Sequence, residues 1–210
     1  MIPLPTSGLD PTSAAELLHR AELLQVEAAE VIADLDLLAL LGRVGYVEQL
    51  GSSVSGLMVW RDIDLAARCR DLTPGRAWDA LRPLLTRPRL RRLNYRNEAG
   101  DRSPTGRPAD QRYYFVAYYE TAAGDEWKID LSHWLSDAPR PHLAQLDDLR
   151  RRLTDETRLA ILWIKDVWHR LPTYPEEVSG VDVYDAVLEH GVRTPDEFAA
   201  YLRQRGLPAP

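Results

Sequence analysis

The sequence predicts an α+β fold, a mixed and mostly antiparallel sheet flanked by helices, with a C-terminal helical bundle beyond it. Three observations lead there. Short runs that alternate, or that cluster tyrosine, valine and isoleucine, are confined to the stretch from Val44 to Leu131. Apolar residues at helical spacing dominate before and after that stretch. The turn Ala122-Ala123-Gly124-Asp125 joins two of the runs so closely that they must pair antiparallel.

In chain order, residues 1–12 are proline-rich and read as an extended tail. Ser13-Ala14-Ala15-Glu16 has the form of a capping box, and Leu17, Ala21, Leu24, Ala28, Val31, Leu35 and Leu38 follow as the apolar stripe of one long helix. Gly42 and Gly45 bracket the turn into a strand at Val44 to Leu50, and a second strand carries Asp62 to Leu65. Thr73-Pro74-Gly75 reads as a loop, and Ala77 to Leu85 as a short helix stopped at Arg87-Pro88. Leu90 to Asn97 and Tyr113 to Thr121 are strands separated by a Gly/Pro/Asp loop, and Glu126 to Leu131 completes the hairpin. Past Asp137-Ala138-Pro139-Arg140-Pro141 the composition turns helical, which places a boundary between a domain at 13–137 and a helical domain at 142–210. Its helices are Leu143 to Leu153, Asp155 to Leu171 with an all-apolar centre at Leu159 to Ile164, Val181 to His190, and a last one capped by Thr194.

Composition narrows the function. At 210 residues, 45% hydrophobic and 28% charged, the chain is globular, and a net charge of −6 argues against a protein that coats a phosphate backbone. Nucleic acid is therefore not the expected partner. Nothing approaches a membrane span, no leader is apparent at the N-terminus, and the single Cys69 allows no internal disulfide, so a cytoplasmic protein is expected. The five histidines show no two at metal spacing, and His133, three residues past Asp130, stands alone. Walker, dinucleotide and nucleophile-elbow motifs are absent.

Arg87, Arg89, Arg91, Arg92 and Arg96, with Tyr95, Tyr113 and Tyr114 available for stacking, invite a nucleic-acid reading, but the default is a solvated, ion-paired strand face. The helices flanking Gly191 also have the outline of a helix-turn-helix, which their acidic surroundings disfavour. Glu176, Glu177, Asp182, Asp185 and Glu189 are read first as solvated helix faces and second as the lining of a pocket for a cationic acceptor.

The stretch with a chemical meaning is Gly51 to Leu65, GSSVSGLMVWRDIDL. Strand alternation puts Asp62 and Asp64 on one face, with Ile63 and Leu65 on the other. Neighbouring carboxylates repel unless a cation lies between them, and Mg²⁺ is commonly held by one or two carboxylates together with water and substrate phosphates. Gly51 ends an apolar strand where a phosphate can approach bare backbone, and Ser52 is placed to open a short helix that offers hydroxyl and N–H donors. In Glu126-Trp127-Lys128-Ile129-Asp130-Leu131, Asp130 supplies a further carboxylate and Lys128 shares its face. Lys128 is then either a strand lysine paired with a neighbouring acid or a contact to a triphosphate.

These residues resemble the nucleotidyltransferase superfamily, whose members share the DNA polymerase beta fold. The shared motif is Leu50-Gly51-Ser52, a short spacer, Asp62-Ile63-Asp64, and a third acid on a later strand at Asp130; the likeness covers about residues 40 to 135. The resemblance implies Asp62, Asp64 and Asp130 as catalytic and metal-binding residues around a two-metal Mg²⁺ site. It implies Gly51, Ser52 and Lys128 as nucleotide-binding residues. The expected reaction moves an NMP group, AMP first, from an NTP to a hydroxyl of a small molecule of aminoglycoside type. An alternative is an antitoxin-like member that binds or modifies a partner protein through the N-terminal helix and the helix of Trp163 and Trp168. A further alternative, RNA end modification, requires a basic groove running from the arginine strand to Asp62.

Overall fold

The computed structural model describes residues 8–138 and 141–209. The proline-rich segment read as a tail therefore lies mostly outside the described residues. The chain divides into two compact units: one gathers the chain up to Leu24, Ser55–Trp60 and Asp147 onward, the other Gln25–Val54 and Arg61–Leu146.

The second unit is built on a five-stranded sheet of order β1-β2-β5-β4-β3, formed by β1 (Tyr46–Leu50), β2 (Asp62–Arg68), β3 (Leu90–Glu98), β4 (Arg112–Glu120) and β5 (Glu126–Trp134). Only β2 and β5 run parallel; β1–β2, β3–β4 and β4–β5 are antiparallel. The mixed, mostly antiparallel sheet expected from the sequence is thus present. The β4–β5 hairpin closes where the Thr121 N–H donates to Asp125 O and Gly124 takes φ of 90°.

Side-chain alternation gives this sheet two different faces. Ile63, Leu65, Ile129, Leu131, Phe115 and Ala117 are fully buried on one. Covering elements supply Val31 and Ile32 from the end of α1 (Pro11–Asp34), Leu35 just past it, Leu37 and Leu41 of α2 (Leu37–Gly42), and Ala77 and Leu81 of α4 (Pro74–Leu81). Trp78 of α4 meets Phe115 edge-on at 5.0 Å between ring centroids. Polar tethers pin the covering helix: Trp127 Nε1 donates to Glu27 at 2.9 Å and the Tyr119 hydroxyl to Asp34 at 2.6 Å. His133 lies on this core face, away from Asp130, and is fully buried. Its burial pushes the imidazole pKa down to about 4, with the Tyr113 backbone pulling weakly the other way.

Three expectations needed revision at helix ends. The single long N-terminal helix stops at Asp34, because Asp36 adopts the left-handed region at φ 54° and starts α2. Its N-terminus is capped by Asp10, which accepts from the N–H groups of Thr12 and Ser13, so the Ser13 capping box does not form. Thr73-Pro74 proves to be the start of α4, with Thr73 Oγ1 accepting from Arg76 N and Pro74 in the first turn.

The first unit is helical. Its later elements are the second half of α5 (Pro141–Arg152), α6 (Asp155–Trp168), α7 (Gly180–His190) and α8 (Pro195–Gln204). Capping boxes open α6 at Thr154, α7 at Ser179 and α8 at Thr194. Trp168 and Phe198 pack edge-to-face at 4.8 Å in the core of this bundle. The segment Ser55–Trp60 threads into it with Leu57 and Met58 fully buried. Lys165 is buried on α6, where its ammonium donates to Leu57 O at 2.6 Å and lies 3.4 Å from the Tyr184 hydroxyl. Among the described residues no helix is long and apolar enough to cross a membrane.

Candidate functional site

The sheet face opposite the core carries the predicted acids. Alternation places Asp62 and Asp64 on it from β2, and the parallel pairing of β2 with β5 sets Asp62 beside Lys128 and Asp64 beside Asp130. Residues far apart in sequence are thereby brought onto adjacent strands, with the same parity and in the same register. The Lys128 ammonium lies between the acids, 3.2 Å from Asp62 Oδ1 and 2.8 Å from Asp130 Oδ2. Burial works against its charge, but the Asp62 carboxylate, the hydrogen bond to Asp130 and the nearby Tyr114 outweigh it, and its pKa rises above the usual lysine value. Asp130 keeps its other oxygen, Oδ1, buried and without a hydrogen-bond partner among the described residues.

β1 delivers Gly51 to the same place. It sits at φ 70°, and a β-carbon there would come within 2.2 Å of Asp64 Oδ2, so no other residue lets the turn pass so close to the carboxylate. Ser52 follows and opens the single turn α3 (Ser52–Ser55), as its position after the glycine suggested. The turn is anchored by Ser53, whose hydroxyl donates to Leu50 O and accepts from Gln49 Nε2, both at 3.1 Å. Every predicted site residue therefore lies along β1, β2, β5 or the turn that leaves β1.

Tyr114 stands beside these residues, a position that the sequence reading did not assign. β4 places it on the acid-bearing face, opposite Ser132 and diagonal to Asp130, to which it is hydrogen-bonded. Burial first, then the negative charge of Asp130, raises its pKa, so the phenol stays protonated at neutral pH. The signal was present in the hairpin: once Asp125 closes the turn, counting back from Asp130 by parity reaches Tyr114.

No protein-family model matches the chain, and no curated protein matches its sequence. Solved structures do match in fold. A cytoplasmic RNA terminal U-transferase superposes with a TM-score of 0.52 at 18% identity over 86% of this chain. Cid1 in complex with its short product ApU superposes with a TM-score of 0.53 at 16% identity over 85%. A looser likeness, TM-score 0.43 at 14% identity, is to the CdnC component of an E. coli MS115-1 CdnC:HORMA complex, over 92% of this chain and 66% of that one. The chain has the nucleotidyltransferase fold. It spans 55% of the length of each of the first two structures.

Within the nucleotidyltransferase fold the acid cluster can be tested as a metal site. Among the described residues, no three His, Cys, Asp or Glu side chains already converge as a cage. Mg²⁺ does not require one: it is usually held by one or two carboxylates plus water and substrate phosphates. The donors here are hard oxygens from adjacent strands, and the partnerless buried Oδ1 of Asp130 is an acceptor that a cation would satisfy. The residues fit a divalent ion.

Proposed function

We propose that this chain moves a nucleoside monophosphate group from a nucleoside triphosphate, ATP first, to the hydroxyl of an acceptor. The observation that carries the reading is the register that sets Asp64 beside Asp130 and Asp62 beside Lys128 on one half-buried sheet face, with the bare backbone of Gly51 against Asp64.

Asp62, Asp64 and Asp130 are the residues that would hold Mg²⁺, in one or two ions. Bound there, the metal would supply positive charge to the attacking and leaving oxygens of an in-line displacement. The chain's own groups do the rest. Gly51 and Ser52 offer backbone and hydroxyl donors to the β- and γ-phosphates, and Lys128 adds a positive charge beside them. The acceptor hydroxyl oxygen bonds to the α-phosphorus as the bond to pyrophosphate breaks, and the hydroxyl proton passes to whichever oxygen of the Asp130 carboxylate the metal leaves free. Tyr114 holds the Asp130 carboxylate in place through its hydroxyl.

The acidic C-terminal helices lend little to an aminoglycoside-like acceptor. Asp182 is used in capping Ser179, Asp185 pairs with Arg205 at 2.9 Å and with Tyr201, and Glu189 pairs with Arg152 at 2.6 Å. Their charge is compensated inside the bundle, as solvated and capping helix acids normally are. A reducing cytosol suits the single buried Cys69, whose thiol burial pushes up to about 11.

One observation favours a second reading, a degenerate, partner-binding protein: Lys128 already neutralises part of the acid cluster. Calorimetric titration of ATP, GTP, CTP and UTP with Mg²⁺ separates the two. Transferase chemistry requires metal-dependent binding that Asp62→Asn/Asp64→Asn abolishes. The same substitutions should lower transfer about a thousandfold, the equivalent of ~4 kcal/mol of lost charge stabilisation, while circular dichroism stays unchanged. A folded protein that binds no nucleotide would establish the degenerate reading instead.

A further inference from the structure

The far edge of the sheet is open. β3 is its last strand, hydrogen-bonded to β4 on one side, and among the described residues no strand lies on the other. Its pairing with β4 is irregular between Leu90 and Arg92 and then unbroken, which leaves a regular edge from Arg92 to Glu98. A row of backbone N–H and C=O groups of this kind is a template for a further strand, and proteins that leave one open commonly guard it with charge.

Here the charge has one sign. Residues 87–107 hold seven arginines against two acids, Glu98 and Asp101, in a chain whose net charge is −6. Arg87 pairs with Asp36 and Arg91 with Glu120. Arg92 and Arg96 differ: both are exposed, and among the described residues neither is ion-paired. Alternation sets them, with Asn94 between, on one face beside Tyr118, Val116 and Tyr114 of β4. The Arg92 guanidinium lies over the Tyr118 ring at 3.7 Å, and the Tyr114 ring has Arg112 at 4.1 Å and Arg96 at 5.7 Å. The face therefore presents guanidinium N–H groups next to the backbone edge, rather than bare rings on which bases would stack. On the opposite face Leu93 and Tyr95 pair with Ala117 and Phe115 of the core yet are only half-buried, and Leu85, in the turn Arg82–Thr86 against β3, is 58% exposed. The core thins toward this edge instead of closing over it.

We propose that the β3 edge docks an extended acidic segment of a partner protein, which joins the sheet as a strand with its carboxylates on Arg92 and Arg96 and its alternate, apolar residues against Leu93 and Tyr95. Charge complementarity selects this occupant. A second copy of the chain pairing through the same edge would set arginine against arginine, whereas an acidic strand sets a carboxylate beside each guanidinium while main-chain bonds form along the edge. The two arginines thus repel like strands and admit acidic ones. β4 separates this edge from the acids of β2 and β5, and the proposal does not depend on the transferase reading.

The test is fluorescence anisotropy of a labelled decapeptide of alternating glutamate and valine against the full chain at low salt. Wild type should bind it, and binding should weaken as salt is added. Arg92→Ala/Arg96→Ala should bind about tenfold more weakly, whereas Arg150→Ala/Arg151→Ala, the same change of charge on α5, should bind as wild type does. Calorimetric titration of ATP with Mg²⁺ should give the same result for wild type and Arg92→Ala/Arg96→Ala. Backbone pairing is tested by N-methylating the peptide at its valines or at its glutamates. Only one of these sets of N–H groups can point at β3, so one methylated peptide should bind about tenfold more weakly than the other. No binding by wild type, equal weakening in both double variants, or equal binding of the two methylated peptides would overturn the proposal. So would displacement of the peptide by a single-stranded oligonucleotide at lower concentration than by unlabelled peptide, which would give the edge to nucleic acid, or a wild-type dimer in sedimentation that the peptide dissociates, which would give it to a second copy.

Discussion

Gly51 shows how one residue sets the geometry of the site. Its backbone is in the left-handed region, and the space a methyl group would need is already taken by Asp64 Oδ2 at 2.2 Å. Gly51→Ala should therefore cost about 1–3 kcal/mol in urea unfolding and also weaken nucleotide binding, because relief requires Asp64 to move. His133 makes the complementary case on the core face. Its folded-state pKa of about 4 lies below the ordinary histidine value of 6.5, so between those values the unfolded chain binds the extra proton and stability falls as pH falls. The residue should account for a loss of about 2–3 kcal/mol between pH 7.5 and 4.5. Urea unfolding at the two pH values, for wild type and His133→Phe, should show that much less acid loss in the variant. Asp62, Asp64 and Lys128 were legible from the sequence because a period of two fixes which side chains share a strand face. Tyr114 was not, since its relation to Asp130 depends on a register that only the closed hairpin defines.

At the scale of elements, the strands announced themselves more clearly than the helix ends. Alternation marked β2, β4 and β5 to within a few residues, and the turn at Asp125 predicted the β4–β5 pairing. The parallel pairing of β2 with β5 could not be read, because nothing local distinguishes which of several strands lies beside β2. Helix ends depend on single residues. The apolar stripe runs on smoothly through Leu38, and only the left-handed Asp36 breaks it into α1 and α2. Where cap chemistry was explicit the sequence was sufficient: at α8 the Thr194 hydroxyl accepts from Glu197 N at 3.2 Å and Glu197 Oε2 accepts from Thr194 N at 3.1 Å. Thr194→Ala should cost about 1 kcal/mol, and Thr194→Ser almost nothing. Chemical denaturation of the two variants measures the difference, and equal losses would mean that the Thr194 methyl group, not the hydroxyl, is what matters.

For the whole molecule, the relevant quantity is how charge is distributed rather than its sum. Asp62, Asp64 and Asp130 are drawn onto one half-buried face, where Lys128 offsets part of their mutual repulsion. A ligand that binds only the folded chain stabilises it by RT ln(1 + [L]/Kd), about 2.7 kcal/mol at a hundredfold excess over Kd. In a chain of 210 residues that corresponds to a rise in Tm of roughly 5–10 °C. Thermal unfolding with Mg²⁺ and the nucleotide that calorimetry identifies should show that rise in wild type. Chelation of the metal should abolish it, since uncompensated triphosphate would meet the carboxylates directly. Asp62→Asn/Asp64→Asn should start from an equal or higher Tm, because two acids have been neutralised, and should gain nothing from nucleotide and metal. A variant that gained as much as wild type would place the nucleotide elsewhere in the molecule, and the acid cluster would then be a structural ion network held by Lys128.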